Sequence, residues 1–83
     1  RKKTMQFPNE NHLQALRERY PAGTKIRLNH MDDPYAPIPD GTVGEVQYVD
    51  DAGNIHMVWE NGRTLSLIEG ADSFTIIKEA EKT

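Results

Sequence analysis

Cysteine is missing from this chain, which excludes disulfide staples and thiolate metal sites. Aromatic residues are scarce, at 7%, and apolar residues make up only 36%. A sheet closed on itself is therefore a better expectation than a three-layer fold, because 83 residues bury little core. No apolar run approaches the ~20 residues of a membrane helix, and no signal-peptide core is visible. These absences predict a cytoplasmic protein. Nor is there an HExxH run or a Cys/His pair, so no metal or other cofactor is expected. His30, Asp32 and Asp33 lack ligand spacing, and the run DDAGN at 50–54 reads as a turn rather than a calcium loop. Paired acids such as Asp32-Asp33 and Asp50-Asp51 sit in turns, where Asp bonds local backbone N–H groups. Without a sheltered pocket to shift their pKa values they do not make an acid–base pair. The chain is read as a non-enzyme.

What the sequence does hold is punctuation. Residues 1–7 open on Arg1, Lys2 and Lys3 without periodicity and read as a flexible arm, with residues 8–83 forming one domain. Asn9 is a natural N-cap for a short helix over about 9–20, with Glu10 in its first turn. Leu13, Leu16, Arg17 and Tyr20 fall at i, i+3, i+4, i+7 and make one narrow stripe. Pro21 and Gly23 end the helix. So short a helix is unstable alone, and its leucines must dock on the rest of the domain.

After Gly23 the period changes to two, with Ile26 and Leu28 on one face and Lys25 and Arg27 on the other. Residues 29–42 follow, with prolines at 34, 37 and 39 that cannot serve an interior strand. They form a long stiff loop. Strands are then expected at about 43–49, 54–59 and 63–68, and a last one at about 74–78 after the helical turn EGADS. Gly44, inside a strand, signals a bulge, a bend or the close approach of a large neighbour. Strand alternation leaves Tyr48 unplaced.

Register settles one turn. A two-residue Asn61-Gly62 hairpin would set Ile55, Met57 and Trp59 on the face opposite Leu65 and Leu67. A three-residue loop, Glu60-Asn61-Gly62, pairs Trp59 with Arg63, Met57 with Leu65 and Ile55 with Leu67, so that all the large apolar residues share a face. The second is predicted, with Gly62 left-handed. A helix followed by five short strands, the long loop coming after the first, gives a mainly β fold: a five-stranded SH3-like barrel with one short N-terminal α-helix. An OB-fold is the structural rival, but its helix usually lies between strands.

The runs YPAGTKIRL, MDDPYAPIPDGTVGEV and VDDAGNIHMVWENGRTLSLIEGAD resemble the bacterial and phage domain-of-unknown-function family 4314 over roughly residues 20–77. The resemblance implies an SH3-like fold and a setting on phages or other mobile elements, and supplies no catalytic residues. The spacing of Gly41, Gly44 and Val46 and the WENG turn are also similar to KOW modules and Mib-type SH3-like domains.

Three surfaces compete for function. The first is the proline loop, where Tyr35 is a rigid aromatic anchor for a protein partner, with Asp32, Asp33, Pro34, Pro37 and Asp40 around it. The second is nucleic-acid binding through Lys2, Lys3, Arg17, Arg19, Lys25 and Arg27. With Arg1, these are seven of the ten Lys and Arg, all within the first 27 residues. Aromatic stacking partners among them are few. The third is inhibition of a host defence nuclease by the acidic remainder of the chain. Protein binding through loop 30–40 is the leading expectation.

Overall fold

A computed structural model describes residues 9–77. Helix α1 spans Glu10–Arg19; the strands are β1 Lys25–His30, β2 Val43–Val49, β3 Asn54–Trp59, β4 Leu67–Ile68 and β5 Ser73–Ile77. The arm 1–7, with Lys2 and Lys3, and the end of the last expected strand at Lys78 lie outside the described residues.

The helix begins where its cap predicts. Asn9 is extended, and its side-chain oxygen accepts from His12 N at 2.8 Å. At the other end Tyr20 N–H still reaches the Leu16 carbonyl before Pro21 turns the chain away. Leu16 and Tyr20 are buried, Leu13 packs against the same core, and α1 lies against β2. Burial of two such side chains contributes roughly 1.5–3 kcal/mol each, more than so short a helix gains by itself. Arg17, the polar member of the stripe, clamps the helix to the sheet through Nε to the Val49 carbonyl at 3.2 Å.

The five strands form one antiparallel sheet in the order β4-β3-β2-β1-β5. Ile26, Leu28, Val46, Val49, Ile55, Met57, Trp59 and Leu67 fill its inner face, and all are buried. The ladder ends at β4 on one side and β5 on the other. Among the described residues these edges share only the isolated bridge between Glu69 and Asp72, so the sheet is not closed.

The turn after β3 has the expected form. Gly62 N–H reaches the Trp59 carbonyl at 2.8 Å, and Trp59 N–H reaches the Arg63 carbonyl at 2.9 Å. Gly62 carries the left-handed φ of +88°. Further along, Ile55 does oppose Leu67. The strand expected over 63–68 is shortened, however, because residues 63–66 leave the ladder. A continuous ladder would offer the Leu65 carbonyl to Met57 N–H. Instead it accepts from the Trp59 indole Nε1 at 2.8 Å.

One further expectation is corrected, and the three readings of Gly44 are narrowed to one. EGADS closes a single turn, the Ile68 carbonyl accepting from Ala71 N–H at 3.1 Å and Asp72 N–H at 3.0 Å. Gly70 at φ +93° takes it out of the helical region, so it is a turn and not a helical one. Inside β2, the irregularity falls at Gln47, between the pairs Val46–Met57 and Tyr48–His56. It turns Tyr48 outward and returns Val49 to the core. Gly44 marks the third of its expected alternatives, a close approach by a large neighbour: it sits opposite Trp59, whose ring crowds the space a Cβ would need.

Candidate functional site

The proline loop between β1 and β2 is fastened to the domain at several points. Met31 and Ile38 are each only 1% exposed and sink into the core, and Ile38 N–H reaches the Met31 sulfur at 3.4 Å. Asp72, itself buried, accepts from Asp32 N–H at 2.8 Å and from Ile68 N–H at 2.8 Å, tying the loop to the β4–β5 turn. Arg63 donates to the carbonyls of Ala36 at 2.7 Å and Pro37 at 3.2 Å. Asp33 folds the tip by accepting from Tyr35 N–H at 2.9 Å. At the base, His30 Nδ1 lies 3.2 Å from an Asp40 carboxylate oxygen.

These fastenings leave Tyr35 89% exposed. Pro34, Pro37, Asp32 and Asp40 are exposed around it, while Asp33 is half-buried by its work in the turn. The loop thus gathers the six residues expected for partner binding on one segment. It also adds four that sequence reasoning missed: Met31, Ile38, Arg63 and Asp72. The two apolar anchors had a signal, since they are the only large aliphatic residues in a polar, proline-rich run. Arg63 and Asp72 had none, being 26 residues or more from the loop backbone groups they hold.

The basic residues are arranged differently. Arg17 Nη2 pairs with Asp51 at 2.8 Å and Arg19 with Glu69 at 3.6 Å, so the two helix cations meet acids on separate turns. Lys25 lies 3.6 Å from Glu45 on the outer face of the sheet, and Arg27 is exposed on that same face. Lys2 and Lys3 are outside the described residues. Of the four described members of this set, Arg17, Arg19 and Lys25 are thus paired with acids.

A second polar cluster lies at the β2–β3 turn. Asp50 accepts from Ala52 N–H at 3.0 Å and Asn54 N–H at 2.8 Å through one oxygen. The other oxygen meets Asn54 Nδ2 at 3.2 Å and His56 Nε2 at 2.8 Å. An ionised carboxylate only accepts, so Nε2 carries the proton. Burial raises the Asp50 pKa and is the largest single influence. It is outweighed by the hydrogen bonds from the His56 side chain and from the backbone and side chain of Asn54, with the His56 charge adding to them. The net result is a pKa below its usual 3.8. The Tyr48 ring stacks on His56 at 4.3 Å and 7°. Among the described residues no three of His, Asp and Glu gather as a metal site. None of their helices is long and apolar enough to cross a membrane.

The fold and loop together define the class: a small β-sheet domain with an N-terminal helix, displaying one exposed tyrosine on an anchored loop. The family model described as domain of unknown function (DUF4314) matches residues 9–77, and the chain belongs to that family. No match to the chain was found among curated proteins or among solved structures.

Proposed function

We propose that this domain is a non-enzymatic protein-binding module, working in the cytoplasm and carried by a phage or other mobile element, with its interface centred on loop 30–40. The observation that carries this reading is Tyr35, 89% exposed on a loop whose flanks are buried at Met31 and Ile38. The backbone beneath its ring is ordered in advance, which lowers the entropy lost on binding. The fold itself supports an SH3-like barrel as its finer description: β1 to β4 meander, and β5 returns beside β1.

The test is affinity capture with the wild-type chain, Tyr35→Ala, and Tyr48→Ala as a control on the other exposed tyrosine. A specific partner held by wild type and Tyr48→Ala but released by Tyr35→Ala supports the proposal. At a hot spot, the loss should be about 2 kcal/mol or more, roughly thirtyfold in affinity. Because Tyr35 has few contacts to lose, its melting temperature should stay near that of wild type. A partner retained equally by Tyr35→Ala would move the interface elsewhere.

A further inference from the structure

Resting on the reading of loop 30–40 as a protein-binding surface, we infer that its partner presents an arginine-bearing cationic segment, whose guanidinium stacks on Tyr35. The chemistry the loop offers is one-sided. From Asp32 to Pro39, every backbone N–H is either missing or already donated within the domain. Pro34, Pro37 and Pro39 have none. Asp32 gives its N–H to Asp72, Asp33 to the Met31 carbonyl, Tyr35 and Ala36 to Asp33, and Ile38 to the Met31 sulfur. The backbone surface therefore offers a partner acceptors only, and beyond them the face and hydroxyl of the Tyr35 ring.

Charge points the same way. The run from Leu28 to Gly62 holds seven acids and no Lys or Arg. Arg63, the first cation after it, is turned under the loop onto the carbonyls of Ala36 and Pro37. Asp32 and Asp40 stay exposed on either side of Tyr35. A phosphate chain or an acidic peptide meets repulsion here and finds no free backbone donor, only the single Tyr35 hydroxyl. A lysine satisfies the charge and can sit over the ring, but as a point cation it neither stacks flat on it nor offers a fork of donors. Arginine supplies both, a planar cation that stacks on the ring and a fork of donors for carboxylate and carbonyl oxygens.

The probe is a capped peptide of alternating arginine and glycine, titrated into the isotope-labelled 83-residue chain while amide shifts are followed. Shifts should concentrate on Asp32, Tyr35, Ala36 and Asp40 and weaken on raising salt to about 0.3 M. Tyr35→Ala should bind about tenfold more weakly or worse, and Asp32→Asn with Asp40→Asn about threefold or worse. A citrulline peptide, uncharged but alike in shape, should not bind. The inference falls if citrulline binds as well as arginine. It falls equally if a glutamate peptide or an oligonucleotide shifts the loop, or if the arginine shifts centre on Asp50, Asp51 and Glu60 and persist in Tyr35→Ala. The parent reading fails separately. A captured partner lost by Tyr35→Ala but indifferent to salt and to Asp32→Asn with Asp40→Asn keeps the loop and removes the cation. One retained by Tyr35→Ala removes the loop itself.

Discussion

Gly44 faces the indole of Trp59 so closely that an added Cβ would stand 2.6 Å from Cε3 and 2.9 Å from Cδ2, with the Met57 methyl at 3.1 Å. The ring cannot easily retreat. It is 1% exposed, and its Nε1 is held by the Leu65 carbonyl. Gly44→Ala should therefore destabilise the fold by about 1–3 kcal/mol, read from the shift of a urea unfolding midpoint at constant slope. Asp50 offers a residue-scale test of a different kind. Its pKa is lower folded than unfolded, so its contribution is fully present above about pH 3.8 and is lost as pH falls through the folded value. Wild type should lose stability through that acid window, and Asp50→Asn should lose less there because its carboxylate is already gone. The measurement is unfolding free energy against pH for both chains. Equal slopes below pH 3.8 would show that the turn does not stabilise the ionised form.

At the scale of elements, the loop is held by contacts from segments remote in sequence, and Arg63 is the one that can be removed without opening the core. Arg63→Ala should leave global stability within about 1 kcal/mol, since the side chain's two hydrogen bonds are exposed. Its local effect should be larger: faster hydrogen exchange at Tyr35, Ala36 and Ile38, with the strands unchanged. Unchanged exchange at the loop would mean that Met31, Ile38 and Asp72 hold it without Arg63. This division between local and remote causes also separates what could be read in the chain from what could not. The Asn9 cap, the Gly62 turn, β2 and β3 follow from neighbouring residues and from the demand that Ile55, Met57, Trp59 and Leu67 share a face. The retreat of residues 63–66 from the ladder depends on where the Trp59 indole points, which is decided in three dimensions. The bulge at Gln47 was nearly legible: Val46 and Val49 are three apart, while the core residues opposite them, Met57 and Ile55, are two apart. Tyr35 and its neighbours were visible as an exposed loop, but the reason the loop stays ordered lies in Arg63 and Asp72.

At the scale of the molecule, charge is lopsided along the sequence, yet among the described residues the basic helix and first strand are largely paired with acids. Arg17, Arg19 and Lys25 come from the basic first 27 residues, yet each meets an acid from the acidic remainder, at Asp51, Glu69 and Glu45. These pairs are exposed, and each contributes little to stability. Their effect on long-range field is greater, because a phosphate backbone approaching any of these cations also approaches its carboxylate. Strong binding to DNA or RNA requires several phosphates neutralised together, which gives a steep fall of affinity with salt. With three of the four described cations of this surface paired and the net charge at −3, titration with duplex DNA and single-stranded RNA should show no such steep dependence. Asp51→Asn with Glu69→Gln is the sharper comparison, since it frees Arg17 and Arg19 together. If local pairing is what silences this surface, the double variant should gain salt-sensitive nucleic-acid binding that wild type lacks. Tight, salt-sensitive binding already present in wild type would instead make the N-terminal cations the functional surface, and the loop a secondary feature.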